Sequence, residues 1–126
     1  MIKENKNIKY LIGNNTLDLK STIPYSDIFC DFLDNFSKAL DSYPQIRKFP
    51  DLKTLAFWCR KKNILKFRNN SLLNETRLGL GMIFHITPSN IPTNFAYSLI
   101  FGLINGNSNI VKVPSKKFVQ IDIVCN

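Results

Sequence analysis

At 126 residues the chain is bounded to one domain at most, and its 44% hydrophobic and 12% aromatic content suffices for a globular core. No apolar run approaches the roughly 18 residues of a membrane span, and the polar start MIKENKNIKY lacks an apolar signal core, so the expectation is a cytoplasmic protein. A formal charge of +8 admits nucleic acid, acidic membranes or phosphorylated ligands as partners, whereas three scattered cysteines, Cys30, Cys59 and Cys125, exclude a disulfide framework and a zinc site in favour of reduced, packed thiols.

Residues Met1 to Thr22 read as a polar arm, with a hairpin over KYLI, Gly13-Asn14-Asn15 and TLDL. From Pro24 to Leu40 the apolar residues Ile28, Phe29, Phe32, Leu33, Phe36, Ala39 and Leu40 fall on one helical stripe, with Ser26 as its cap. Pro44 and Pro50 interrupt that pattern. A second helix follows, with Leu52, Leu55, Ala56 and Cys59 at i, i+3, i+4 and i+7, running to about Lys62. RKKNILKFR, Arg60 to Arg68, is the densest basic patch, with Ile64 and Phe67 set between cations. Interleaved aromatics of that kind stack bases in some proteins; no recognition helix, zinc finger or ribonucleoprotein motif accompanies them, so a solvated basic face is the preferred reading.

After the polar link NNSLLNETRLG the hydrophobic period changes. Met82 to Ile86 is apolar on both faces apart from His85, the pattern of a strand inside a parallel sheet with helices above and below. Thr87-Pro88-Ser89-Asn90-Ile91-Pro92 continues neither strand nor helix. Pro92-Thr93 starts a helix with Phe95, Ala96, Leu99, Ile100 and Leu103 as its stripe, and Gly106 closes it in a left-handed conformation. Asn109 to Val113 is the next strand, Pro114-Ser115 the turn, and Lys116 to Val124 another helix. The fold class is therefore α/β, with N-terminal helices over 1–76 and a βαβ portion over 77–126. In open α/β sheets ligands gather at the carboxyl ends of the strands, where TPSN and PSKK both lie, so an extended anionic ligand such as a dinucleotide is expected there. Neither G-x-G-x-x-G nor a Walker sequence is present to identify it.

GMIFHITPSNIPTNFAYSLIFGLINGNSNIVKVPSK resembles the first βαβ segment of the aldehyde dehydrogenase superfamily, with its apolar strand, Pro-x-Asn-x-Pro, Ala/Leu-rich helix, Gly-Asn, second strand and Lys-Pro-Ser-Glu. FHITPSNIPTNFAYSLIFGL and VPSK are similar to the acyl-CoA reductase branch, which includes the fatty acid reductase of bacterial bioluminescence operons. The resemblance covers Arg77 to Cys125 closely and the helices with FWCRKKN more weakly. It implies a Rossmann-type, aldehyde-dehydrogenase-like cofactor domain and an NADPH-dependent reductase. Such an enzyme forms an acyl thioester on a cysteine and reduces it to an aldehyde, acting on acyl-CoA or an acyl-protein thioester with an acyl-protein synthetase or transferase as partner.

Carried onto these residues, the resemblance makes Asn90 the side-chain donor to the thioester oxygen; helix capping is the alternative role for the same residue. Ile86, Thr87, Pro88 and Ser89 lie along the nicotinamide side. The strand-end lysine that contacts the adenosine ribose falls on Lys112 when counted from Gly106-Asn107, and the position falls on Val113 when counted back from Pro114-Ser115. After Ser115, Lys116 replaces the family's common Glu. A carboxylate accepts a bond from the ribose 2′-hydroxyl and repels a 2′-phosphate, and a lysine does the reverse, so NADPH is favoured, against the alternative of a solvated lysine. The superfamily's nucleophilic Cys and general-base Glu have no counterpart here. Cys125, within VQIDIVCN, and the lone His85 read as structural residues. The expectation is accordingly an N-terminal fragment, inactive by itself and prone to oligomerise; a non-enzymatic βαβ module whose basic face meets a protein or nucleic acid is the alternative.

Overall fold

The computed structural model describes residues 8–14, 16, 20–70 and 77–126. Among the described residues five α-helices, α1 (Asp27–Ser42), α2 (Pro50–Cys59), α3 (Lys61–Asn70), α4 (Asn94–Ile104) and α5 (Val119–Cys125), and a 3-10 turn at Ile46–Lys48 accompany two strands, β1 (Met82–Ile86) and β2 (Ser108–Lys112). The strands pair in parallel, Met82 opposite Ser108 through Ile86 opposite Lys112, with α4 as the crossover. The chain is thus α/β with a small parallel sheet. No helix among the described residues is long and apolar enough to cross a membrane.

α2 buries Leu52, Leu55, Ala56 and Cys59, the four residues that its spacing singles out. α1 is rotated relative to expectation. It buries Cys30, Leu33, Ser37 and Leu40, while Ile28 and Phe32 are 79% and 52% exposed. The buried line takes in Cys30 and Ser37, two small residues that the seven-residue apolar stripe leaves out. Ser37 sits on that line because its hydroxyl donates to the Ala56 carbonyl at 2.5 Å, satisfying a buried polar group.

The second helix stops at Cys59 rather than near Lys62. Arg60 takes extended ψ, and a separate helix, unforeseen in the sequence, begins at Lys61. Its first turn is held from outside. The Lys61 amide donates to Asp34 Oδ1 of α1 at 2.9 Å, and Arg60, Lys61 and Arg68 pair with Asp41, Asp31 and Asp27. The Lys38 ammonium, and secondarily the Lys61 N–H, hold the Asp34 carboxyl below the ordinary carboxylate range.

β1 has the expected bounds but one-sided burial. Met82, Phe84 and Ile86 are 47%, 58% and 74% exposed, whereas Ile83 and His85 face the helix layer. Two strands with α4 on one side leave the other face uncovered, which corrects the expectation of helices above and below. On the covered side His85 Nε2 meets Asn109 Oδ1 at 2.8 Å, which places the imidazole proton on Nε2, and Asn109 Nδ2 donates to the Asn107 carbonyl at 2.7 Å. β2 begins and ends one residue before its expected bounds. α5 begins at Val119, because Ser115 and Lys116 form a bend and Phe118 stays extended.

Gly106 closes α4 at φ +78, as its sequence position implies, and its carbonyl accepts from the Thr22 amide at 2.9 Å. Thr22 in turn accepts from the Gly79 amide at 3.0 Å, so the N-terminal segment is stitched between the lead-in of β1 and the end of α4. The first arm of the expected hairpin forms no strand, residues 8–14 being irregular; its second arm, 17–19, lies outside the described residues, as does most of the link at 71–76. One buried cluster joins Leu33, Leu55 and Ile64 of the helical region to Phe95, Ile100 and Ile121 of the βαβ region.

Candidate functional site

Parallel pairing with equal strand lengths sets the carboxyl ends of β1 and β2 level, so the two turns leave the sheet from adjacent points. Ile86 and Lys112, the last residues of the strands, are direct partners and both are exposed on the uncovered face. The Thr87 hydroxyl reaches across and donates to the Lys112 carbonyl at 3.2 Å. This clasp joins the residue that starts the first turn to the residue that precedes the second. Sequence reasoning placed both residues at strand ends without the bond between them, because the bond depends on register.

Pro88, Ser89 and Asn90 occupy an exposed turn. The N-cap position of α4 belongs to Thr93, whose carbonyl accepts from Ala96 at 3.0 Å. Asn90 stands a turn earlier, and its side chain makes no hydrogen bond with the described residues, so it does not serve as the helix cap. Lys112 ends β2 with its side chain exposed, and Val113 is half-buried against the core. Of the two, Lys112 is the one whose side chain is exposed. Pro114 is buried and anchors the second turn; Ser115 and Lys116 are exposed beyond it. Lys116 Nζ lies 5.1 Å from the Phe118 ring centroid, within cation–π range.

No Asp or Glu occurs between Arg77 and Ile121, so the strand-end surface combines Lys112, Lys116 and Lys117 with no carboxylate from its own βαβ unit. That donor set fits a polyanionic cofactor.

The thiols are placed otherwise. Cys30 and Cys59 are fully buried, and burial pushes the Cys59 thiol up to about 12 and those of Cys30 and Cys125 above their ordinary value. A nucleophilic cysteine needs the opposite environment. The basic patch is equally occupied: Arg60, Lys61 and Arg68 are paired with α1 acids, Ile64 is buried, and Phe67 stacks on Trp58 at 4.7 Å. Little of it is presented to a nucleic acid.

With these features in place, comparison with known proteins identifies a class. A family model described as Acyl-CoA reductase (LuxC) matches residues 37–122, more than half of the chain. The chain belongs to that acyl-CoA reductase family. The match starts within α1 and runs through α2 and α3 into α5, so it takes in the upstream helices as well as the βαβ segment. Neither a curated protein nor a solved structure matches the chain.

Proposed function

We propose that residues 77–126 form the βαβ portion of a Rossmann-type, aldehyde-dehydrogenase-like cofactor domain in an NADPH-dependent acyl-thioester reductase, with the helices of residues 1–76 as its buttress. The observation that carries this reading is the level pairing of the strand ends, Ile86 opposite Lys112 with Thr87 bonded to the Lys112 carbonyl, in a unit free of acids up to Asp122. NADPH, when bound, supplies hydride to an acyl carbon. Ile86, Thr87, Pro88 and Ser89 line its nicotinamide side, Lys112 and Ser115 bind the adenosine ribose, and Lys116 faces the 2′-phosphate.

Asn90 donates its amide to the acyl oxygen as negative charge develops there. Pro88 and Pro92 bracket it and limit backbone rearrangement, and an amide donates without titrating near neutral pH. The substrate is an acyl-CoA or acyl-protein thioester, delivered in the second case by an acyl-protein synthetase or transferase. Because all three thiols are packed and raised in pKa, residues 1–126 do not by themselves turn over acyl-CoA.

Ligand-detected NMR on the 126-residue chain tests the cofactor half: NADPH binds in preference to NADH, and Lys116→Glu inverts or abolishes that preference. In an active acyl-CoA reductase carrying this segment, Asn90→Ala slows turnover by roughly 10²–10³ with an unchanged melting temperature. Equal binding of both nucleotides, unaltered by Lys116→Glu, or an Asn90→Ala enzyme of normal turnover, refutes the corresponding assignment.

A further inference from the structure

We infer that Phe118 is a positioning residue for the 2′-phosphate of the cofactor: its ring holds the Lys116 ammonium ready at the second strand-end turn, where that phosphate is read. This rests on the cofactor reading of the two turns. An exposed lysine on a bend ordinarily spreads over many rotamers, because its charge sits at the end of a flexible stem. Here Nζ lies 5.1 Å from the Phe118 ring centroid, inside the range at which the negative face of an aromatic ring attracts a cation.

The ring is itself fixed. Phe118 is half-buried and packs against the core cluster. Its backbone is extended, at φ −124 and ψ 133, and its carbonyl accepts from the amide of buried Ile121 at 3.1 Å. N-cap positions usually hold Ser, Thr, Asp or Asn, whose side chains satisfy a free N–H of the first turn; α5 has a phenylalanine there and no side-chain cap. The residue that could have closed the helix end instead presents a ring to Lys116.

The manner of holding suits an anion. A carboxylate partner would hold Lys116 more firmly, but it would cancel the charge and repel a phosphate. An aromatic face engages one side of the ammonium and leaves N–H donors on the other side for an incoming oxygen. No ion pair claims Lys116 among the described residues, so its charge stays available. Ordering the lysine before the ligand arrives lowers the entropy lost on binding, which turns a weak contact into selectivity.

Adenosine 2′,5′-bisphosphate and adenosine 5′-monophosphate, which differ only in the 2′-phosphate, are titrated into the isotope-labelled 126-residue chain. The bisphosphate binds more tightly, and the Lys116 methylene signals, shifted upfield by the Phe118 ring in the free chain, stay upfield in the complex. Phe118→Leu keeps an apolar side chain against the core and lowers the bisphosphate's advantage by roughly two- to fivefold, with monophosphate affinity unchanged; Phe118→Tyr, which keeps the ring, retains the wild-type advantage. In a Lys116→Met background Phe118→Leu alters the ratio no further. An advantage unaltered or increased by Phe118→Leu, while Lys116→Met reduces it, overturns the inference and leaves the cofactor reading standing. So does loss of the upfield shift on binding, a measurement that depends on no variant folding. Equal binding of the two nucleotides by the wild type, or binding of neither, overturns the cofactor reading and this inference with it.

Discussion

Gly102 is the point at which α4 touches the sheet, and Gly102→Ala should separate them. A Cβ at this position overlaps Asn109 Oδ1. Asn109 cannot retreat freely, since the same amide group accepts from His85 at 2.8 Å and donates to the Asn107 carbonyl at 2.7 Å. Expelling it forfeits two hydrogen bonds of about 1 kcal/mol each. Residual overpacking adds about 1 kcal/mol more, and the better helix propensity of alanine returns about 1 kcal/mol. The expected net loss is about 2 kcal/mol, read as a urea midpoint about 1 M lower for a slope of about 2 kcal/mol/M. The mechanism is tested by a double-mutant cycle. In an Asn109→Ala background the obstructing atom is gone, so Gly102→Ala should cost nothing further or stabilise slightly. Equal destabilisation in both backgrounds, or no effect in the wild type, would show that the Gly102–Asn109 contact does not limit helix-to-sheet approach.

Asp34→Ala removes the external cap of α3 and should cost about 1 kcal/mol in denaturant melts. Because the folded carboxyl is held below its ordinary value of 3.8, its stabilisation is complete above that pH and is lost as pH falls through the folded pKa; wild type and variant should therefore converge only in strong acid. In thiol labelling at neutral pH, Cys59 should remain unreactive until the chain unfolds, as its thiol, pushed up to about 12 and fully buried, requires; rapid labelling under native conditions would contradict its placement. Phe84→Lys, on the uncovered sheet face, should reduce self-association in sedimentation with little change in melting temperature, and a large loss of stability would show that this face is packed.

α2, β1 and α4 were legible because each is specified by its own residues: four apolar positions at helical spacing, a five-residue run apolar but for His85, a stripe ending at a left-handed glycine. α3 was not, since Ile64, Leu65 and Phe67 are few among its cations, and what fixes it are the four α1 carboxylates of Asp27, Asp31, Asp34 and Asp41, far away in sequence. The two-sided burial of β1 failed for a related reason. Apolar residues on both faces record what a strand tolerates, while coverage depends on which other elements pack there. Within the candidate site the turn residues could be read from Pro and Asn placement. The exposure of Lys112 against the partial burial of Val113, and the Thr87 clasp, could not, because both follow from strand register, which a one-residue shift reverses.

The parallel pairing also imposes an order of events on folding. β1 cannot find its partner in a local hairpin; Met82–Ile86 must wait until α4 has formed and carried Ser108–Lys112 back alongside it. The cap and ion pairs between α1 and the α2–α3 corner lie wholly N-terminal to the sheet and need nothing from that crossover. During synthesis the helical region therefore precedes the sheet, and for the interval in which residues 87–107 emerge, β1 is an apolar strand with both edges free. That interval is when the chain is most open to capture by chaperones or to pairing with a neighbouring nascent copy.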